Sequence, residues 1–237
     1  TGLASATGLW RIADQSGICR RKRVGTVSQF ALPLETTPSR GNDGYIVTDA
    51  NANVDAQLLD WENWPNNVGI LIGPAASGKT AMAEQFLRMS GGRCFEVSER
   101  EVGEELFHLW NLVQEDQKPL LIVSSLPVSA WNVELPDLRS RLAASLLIEI
   151  GPPDEAMLKG LFHKFFAARG LAISEDASSY LARRMDRNYL DVQILAQKMD
   201  NLATEQKKSI TRRVAQDILF AFQNHRQSDD AQGIAGS

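Results

Sequence analysis

The chain has 237 residues, which is enough for one large hydrophobic core or two modest ones. Hydrophobic residues make up 43% of the sequence and charged residues 23%, the balance of an ordinary soluble globular protein. A formal net charge of −4 implies no broad electrostatic attraction to nucleic acid or to an anionic membrane. No apolar run is long enough to span a bilayer, and the two cysteines lack metal-ligand spacing, so we expect a cytoplasmic protein.

The first 40 residues are predicted to form a flexible tail, because small, polar and basic residues dominate them. A basic run at residues 20–23 is either a solvated tail or a weak nucleic-acid contact, and its place in a polar, poorly patterned stretch favours the first interpretation. We therefore expect any association with DNA to be indirect. One apolar hexapeptide, Gln-Phe-Ala-Leu-Pro-Leu at residues 29–34, interrupts the tail.

Residues 41–151 are predicted to form an α/β domain. Short apolar stretches without alternation predict buried parallel strands, at residues 68–72, 93–97, 120–123 and 146–150. Helical patterns precede or separate these strands, at residues 53–61, 80–87, 102–113 and 135–144. Alternating strands and helices predict a parallel sheet that helices cover on both faces.

A phosphate-binding P-loop is matched by eight consecutive residues between the first strand and its helix: Gly73, Pro74, Ala75, Ala76, Ser77, Gly78, Lys79 and Thr80. A strand that turns into a helix N-terminus directs backbone N–H groups and the positive end of the helix dipole at one spot, which favours an anion. Lys79 adds a charge for the terminal phosphates, and the Thr80 hydroxyl can ligate Mg²⁺ if that ion is bound. The motif predicts a nucleoside phosphate as ligand, with ADP or ATP as the cofactor.

Residues 152–225 contain only helical patterns, which predict a small α-helical lid after the α/β domain. Apolar residues recur at helical spacing within residues 158–166, 190–202 and 214–222. We expect the last of these helices to begin after Thr211 as its N-cap. Residues 226–237 are small and polar, and we expect them to be disordered.

Three further motifs accompany the P-loop. They are Tyr45-Ile46-Val47 with Asn51, the string Pro-Asp-Leu-Arg-Ser-Arg-Leu at residues 136–142, and Ile-Glu-Ile-Gly-Pro-Pro-Asp at residues 148–154. With the P-loop and the short lid they resemble the AAA+ ATPases and, within that group, the DnaA-related family, over residues 29 to about 222. The resemblance implies that Tyr45, Ile46, Val47 and Asn51 pack around the adenine of a bound nucleotide.

The same resemblance implies partners. Arg141, in the second motif, corresponds to an arginine finger that acts in trans on a neighbour's nucleotide. The hexapeptide resembles the clamp-binding motif of Hda-type regulators, which implies that Gln29, Phe30, Leu32 and Leu34 bind the DNA sliding clamp. DnaA has a basic helix-turn-helix domain after its lid, and no such pattern follows the lid here, which favours a regulator that stimulates ATP hydrolysis by DnaA. Self-association into a homo-oligomer is left open.

Two departures from the family pattern weaken the prediction of hydrolysis more than that of binding. A P-loop ATPase needs a second strand that ends in an acidic residue, and Glu96 is the nearest substitute, which we do not expect to serve. Leu190 stands where the lid motif of the family carries a nucleotide-sensing arginine, so that Arg187 is a displaced candidate for contact with the nucleotide. We therefore expect weak or absent intrinsic ATPase activity.

Several alternatives stay open at this point. Arg139 and Arg141 could be surface residues that form salt bridges, and Ser124 and Ser125 could be either phosphate sensors or hydroxyls that satisfy a turn. The chain as a whole could be a self-sufficient ATPase, such as an initiator or helicase loader. A P-loop kinase for a small molecule is a further alternative, which the arginine motif and the lid disfavour.

Overall fold

The computed structural model describes residues 44–98, 101–206 and 210–234. The predicted tail at residues 1–40, with its clamp-binding hexapeptide at residues 29–34, lies outside these ranges. The described residues form two compact units: one comprises residues 44–45, 56–73 and 78–149, and the other comprises residues 46–55, 74–77 and those from 150 onward. The sequence predicts one α/β domain over residues 41–151, whereas its segments 46–55 and 74–77 group with the helices that follow.

The first unit is built on a four-stranded parallel sheet. Its strands are β1 (Val68–Ile72), β2 (Arg93–Val97), β4 (Leu120–Ser124) and β6 (Leu146–Glu149), in the order β2-β4-β1-β6. Both central strands, β1 and β4, are buried along their whole length, as strands covered on both faces must be. The predicted α/β class with a parallel sheet is therefore confirmed.

Four helices and a second, two-stranded sheet accompany these strands. The helices are α1 (Ala52–Leu59), α2 (Lys79–Ser90), α3 (Glu104–Asp116) and α4 (Pro136–Ala143), and the small sheet pairs β3 (Glu101–Val102) with β5 (Asn132–Val133). The sequence predicts Val102 as the first residue of the third helix, whereas it lies in β3. An apolar residue four positions before a helical stripe fits the helical period, and periodicity alone cannot separate it from a strand.

Two layers of helix cover the main sheet. Ile70, Ile122 and their neighbours on one face pack with Leu106 and Trp110 of α3 and with Leu138 of α4. On the other face the Trp64 ring covers Gly69, where a Cβ atom would lie 2.7 Å from the ring, so that only glycine fits. Trp64 also stacks on Phe86 of α2 with ring centroids 5.0 Å apart, which places α2 over this second face.

The second unit is helical after residue 154. It contains α5 (Glu155–Ala167), α6 (Glu175–Arg184), α7 (Tyr189–Gln206) and α8 (Arg212–Ile234), packed around a core that includes Leu158, Phe162, Leu181, Leu195, Met199 and Phe222. Two N-caps define the first two helices, since Asp154 accepts from the Met157 N–H at 2.6 Å and Ser174 from the Ala177 N–H at 3.3 Å. No helix among the described residues is long and apolar enough to cross a membrane.

The C-terminal helix differs from the prediction. The sequence predicts disorder over residues 226–237, but α8 continues to Ile234. Residues 226–232 contain neither proline nor glycine, and an existing helix gains one hydrogen bond for each residue that it adds. Polar composition alone therefore does not end a helix that packing has already nucleated at residues 212–222.

Candidate functional site

The backbone between β1 and α2 has the geometry of an anion-binding loop. Gly78 has φ +90° and Ala76 has φ +63°, so both lie in the left-handed region. Gly78 is also the N-cap residue of α2, and it has no side chain that could cap the first N–H groups of the helix. These donors and the helix dipole make the start of α2 favourable for a phosphate group.

Lys79 lies over the beginning of this loop. Its Nζ atom donates to the Gly73 carbonyl at 2.7 Å, and the Gly73 N–H donates in turn to the Ser124 carbonyl at 3.3 Å. Burial lowers the pKa of Lys79 below its ordinary value, and the charge of Glu96 opposes this by raising it. The ammonium group is thus held at the loop, where a P-loop lysine contacts the terminal phosphates.

Glu96 is the acidic residue of β2 that is not expected from the sequence to replace the catalytic acid of a P-loop ATPase. Glu96 pairs in register with Val123, and Val123 with Leu71, so all three lie on the sheet face that α2 covers. The negative charge of Glu96 raises the pKa of Lys79. The carboxylate of Glu96 therefore acts on the P-loop lysine, and the expectation that it does not serve in hydrolysis stays a prediction.

The interaction between Lys79 and Glu96 predicts how ADP binding depends on pH. The pKa of Lys79 is below 10.5, so Lys79 loses its charge, and ADP affinity should fall, at a pH below that of a free lysine. Because Glu96 raises that pKa, Glu96→Gln should move the loss of affinity to lower pH. Isothermal titration of ADP across alkaline pH checks this, with exposed Glu62→Gln as the control. An unchanged profile in Glu96→Gln would contradict the coupling.

Two hydroxyl groups complete the loop. Ser77 is buried, and its Oγ atom has no hydrogen-bond partner among the described residues. Leaving a buried hydroxyl unpaired costs about 1–3 kcal/mol, so a ligand oxygen beside it would be favoured. Thr80, in the first turn of α2, is exposed and free to reach a hydrated Mg²⁺. In the described part of the chain, no three His, Cys, Asp or Glu residues gather as a preformed metal site.

The three consecutive residues predicted to pack around adenine, at positions 45–47, have different surroundings. Tyr45 lies beside the P-loop glycine, since a Cβ atom on Gly78 would be 3.8 Å from the Tyr45 Cβ. Ile46 packs on α5, where a Cβ atom on Gly160 would be 3.1 Å from the Ile46 Cδ1. Val47 is 47% exposed, so about half of this apolar residue faces solvent.

Asn51, which the resemblance predicts to pack around the adenine, is hydrogen-bonded within its own loop. It is 2% exposed, its Nδ2 donates to the Ile46 carbonyl at 2.8 Å, and its Oδ1 accepts from the Thr48 N–H at 2.8 Å. Both functional groups of the side chain are thus used inside the loop at residues 46–51. Asn51 therefore stabilises the conformation of the loop, and its contact with the adenine stays a prediction.

The lid residues Arg187 and Leu190 lie at the start of α7. Leu190 is 42% exposed, and Arg187 is exposed beside Asp154. Burial alone would raise the pKa of Asp154, but hydrogen bonds from Met157 and Ala50, the nearby Thr48 hydroxyl and the charge of Arg187 together lower it. The Thr48 hydroxyl is close enough to act on this carboxylate, although it forms no hydrogen bond of good geometry within the described residues.

The structure decides between the two interpretations of Ser124. Its hydroxyl donates to the Val97 carbonyl and accepts from the Leu126 N–H, both at 3.0 Å, and the residue is 1% exposed. Ser124 therefore satisfies the backbone of the turn after β4. Ser125 is exposed.

Arg141 is held at the rim of an open groove. Its Nη1 donates to Asn111 Oδ1 at 2.8 Å, its Nη2 pairs with Asp137 at 2.6 Å, and the guanidinium lies 5.1 Å from the Phe107 ring centroid. The groove, about 690 Å³ in volume, is also lined by Asn66, Trp110, Gln114, Glu115, Ser140 and Ala144. Arg139 instead donates to the Val133 carbonyl at 2.7 Å.

Sequence reasoning did not predict the contacts of three residues that support these groups. Asn111 lies on α3, 30 positions before the arginine that it orients. Asp154 is a residue type that commonly caps a helix N-terminus, but its second contact, with the Ala50 N–H, joins residues 104 positions apart. Glu96 could be recognised as an acidic residue in a predicted strand. Only the register of β2 with β4 shows that it lies on the sheet face covered by α2, the helix that begins at Lys79.

Sequence comparison relates the chain to replication initiators. It is 30% identical over 130 residues to the chromosomal replication initiator DnaA of Lactobacillus acidophilus, covering 53% of this chain and 28% of that protein. It is 26% identical over 192 residues to DnaA of Lacticaseibacillus casei, covering 76% of this chain and 40% of that protein. The chain thus spans less than half the length of these relatives. No protein-family model matches it.

Structural comparison gives the same relationship for the fold. Domain III of Thermotoga maritima DnaA superposes with a TM-score of 0.60 at 17% identity, covering 76% of this chain and 95% of that domain. The Thermotoga maritima Holliday-junction motor RuvB gives 0.54 at 16% identity, covering 71% of this chain and 68% of RuvB. The chain has an AAA+-like α/β fold and is related in sequence to DnaA.

Proposed function

We propose that the chain is a nucleotide-binding AAA+ regulator of replication initiation that docks on the sliding clamp and stimulates ATP hydrolysis by DnaA. The observation that carries this proposal is the orientation of Arg141 beside an open groove, fixed by Asn111, Asp137 and Phe107. A guanidinium group presented to a neighbouring active site stabilises the charge that develops during phosphoryl transfer. Sequence similarity to DnaA supports a partner of that family.

The nucleotide is proposed to bind at the P-loop. The backbone of residues 73–80 and Lys79 would hold the phosphates, and Thr80 would ligate Mg²⁺ if it accompanies them. The uncapped start of α2 and the unpaired Ser77 hydroxyl fit a phosphate there. Tyr45, Ile46 and Val47 would contact the adenine, and Arg187 is a further candidate for contact with the nucleotide. The bound nucleotide would be structural rather than a substrate of fast turnover.

Steady-state ATP hydrolysis by DnaA tests the proposal directly. We expect the chain with clamp loaded on DNA to accelerate release of phosphate from ATP-bound DnaA, while the chain alone hydrolyses little ATP. Fast turnover by the isolated chain, with no effect on DnaA, would instead support a self-sufficient ATPase. The electrostatic effect of Glu96 on Lys79 favours this second candidate, because a carboxylate near the P-loop lysine could order Mg²⁺ and water.

Clamp docking is proposed for the hexapeptide at residues 29–34, which lies outside the described residues. An extended segment could insert Leu32 and Leu34 into an apolar groove while Gln29 forms a polar anchor and Phe30 adds apolar contact. Deletion of residues 1–34 should abolish binding to immobilised sliding clamp and leave the melting temperature nearly unchanged.

A shorter deletion, of residues 1–28, is the matched control and should retain clamp binding because the hexapeptide stays. A large loss of stability in the longer deletion alone would indicate that Leu32 and Leu34 pack on the chain itself. Retention of full clamp binding after the longer deletion would refute the assignment.

A further inference from the structure

Arg141 is held by two kinds of contact that differ in charge. Asn111 accepts from its Nη1 at 2.8 Å through a neutral carboxamide oxygen, and the Phe107 ring centroid lies 5.1 Å from its guanidinium carbon. Both contacts orient the guanidinium and leave its positive charge in place. The Asp137 carboxylate, which pairs with Nη2 at 2.6 Å, carries the opposite charge. One of the three contacts therefore neutralises the group that the other two orient.

This ion pair is accessible from solvent. The Arg141 side chain is 30% exposed and the Asp137 side chain 60%. Such a pair contributes little to folding, because water and salt screen the two charges. Glu115 lines the same groove, but in the described part of the chain only Asp137 forms an ion pair with Arg141. A phosphate group that approaches Arg141 therefore competes with one carboxylate for the Nη2 edge of the guanidinium.

The sequence of α4 explains why the pair forms. Asp137 lies in the first turn of the helix, and Arg141 lies four residues later on the same face. An acidic residue in the first turn also suits the positive end of the helix dipole. An ordinary surface pair needs no more than this. Here, however, the arginine of the pair also bonds α3 across 30 positions and borders an open groove, so its resting partner affects what it can bind.

We propose that Asp137 is a competing counter-ion, which restrains Arg141 in the resting chain and must release it before the arginine acts on a partner's nucleotide. This inference rests on the proposed finger role of Arg141 and names how that role is regulated. A finger stabilises charge that develops in the transition state, so the free energy needed for release adds to the barrier. Asp137 therefore limits the maximal rate of stimulated hydrolysis, whereas Asn111 and Phe107 raise it by orienting the guanidinium.

Substitutions at the two kinds of contact should have opposite effects. Asp137→Asn removes the charge but keeps the shape and an oxygen that can still accept from Nη2. We expect it to raise the maximal rate about two- to fivefold, the effect of losing one exposed ion pair. Asn111→Ala removes the neutral support, and we expect a maximal rate about tenfold lower, because a displaced catalytic group acts poorly. Glu134→Gln removes a negative charge from an exposed residue three positions before Asp137 and is the matched control.

The assay is phosphate release from ATP-bound DnaA with loaded clamp, titrated with the full chain or with each variant at low and at physiological salt. It gives the maximal rate and the half-saturating concentration of the chain. For Asp137→Asn we expect a higher maximal rate with an unchanged half-saturating concentration. The gain should shrink as salt rises, because salt screens the exposed pair in the wild type. A merely structural role of Asp137 would not raise the rate.

NMR of the isolated chain with isotope-labelled arginine measures the restraint without DnaA. Rotation of the Arg141 guanidinium about its Nε–Cζ bond should be faster in Asp137→Asn than in the wild type, because one of its two hydrogen-bonded partners has lost its charge. Glu134→Gln should match the wild type. Equal rotation rates in Asp137→Asn and the wild type would show that the ion pair does not restrain Arg141 in solution and would refute the inference.

The other outcomes of the assay separate this inference from the proposed function. Stimulation by the wild type with no gain in Asp137→Asn, or with a gain only in the half-saturating concentration, would refute the restraint and leave the proposed function intact. Lower stimulation by Asp137→Asn would also refute it and would make Asp137 a support of the same kind as Asn111. If the wild-type chain does not stimulate DnaA, the proposed function itself fails, and this inference fails with it.

Discussion

Lys79→Ala is expected to abolish measurable ADP binding. The ammonium group of Lys79 lies over the Gly73 carbonyl at the start of the loop, so its removal deletes the positive charge offered to the terminal phosphates. A ligand that binds the native state alone stabilises it by about 2.7 kcal/mol at a concentration of 100 times Kd. Wild type should therefore melt at a higher temperature with ADP, whereas Lys79→Ala should show no shift.

Thermal unfolding with and without ADP, together with calorimetric titration of ADP and ATP, measures this effect. Lys118→Ala is the matched control, because Lys118 is an exposed lysine of the same unit. We expect ADP to bind at least as well as ATP, because the sequence lacks the second strand ending in an acidic residue that orders Mg²⁺ in P-loop ATPases. Strong preference for ATP with fast turnover, or an ADP-dependent shift in Lys79→Ala, would overturn the assignment.

Much of the first unit follows from local sequence. The predicted strand at 68–72 agrees with β1 and that at 93–97 with β2, because short apolar runs between turn residues leave little alternative to a buried strand. Gly91 ends α2 in the left-handed conformation, as a glycine after a helical pattern predicts. The P-loop was predictable as well, since its motif specifies the strand, the turn and the helix together.

Tertiary pairing was not predictable in the same way. The position of Glu96 relative to Lys79 depends on β2 lying beside β4, and strand order is not encoded in the local pattern of either strand. The second contact of Asp154 joins residues 104 positions apart. A single sequence reveals the capping signal of such a residue but not its distant partner.

The hydrogen bonds of Asn51 were not predictable from its motif either. Asn51 was expected to contact the base because of its place in a motif, yet both of its polar groups bond the backbone of its own loop. A buried amide must be satisfied, and a short loop supplies carbonyl and N–H groups nearer than any ligand. Contact of Asn51 with the base stays a prediction.

Arg141→Ala is expected to remove the stimulation of ATP hydrolysis by DnaA, with folding, ADP binding and clamp binding intact. An arginine finger supplied in trans is worth about 10³–10⁵ in rate. In the free chain the Arg141 guanidinium bonds Asn111 and Asp137, and Asp137 is 60% exposed, so the group is oriented but not sealed in the core. Arg141→Lys should rescue little, because a lysine cannot reproduce the planar guanidinium fork.

The assay is phosphate release by ATP-bound DnaA with loaded clamp, with and without each variant. Arg139→Ala is the matched control, because Arg139 lies two residues earlier on α4 and donates to the Val133 carbonyl rather than to the groove. It should retain stimulation close to wild type. Full stimulation by Arg141→Ala would refute the finger role, and a loss confined to Arg139→Ala would transfer that role to Arg139. Loss in both variants, with normal clamp binding, would identify α4 as the surface that contacts DnaA and leave the catalytic assignment of Arg141 unsupported.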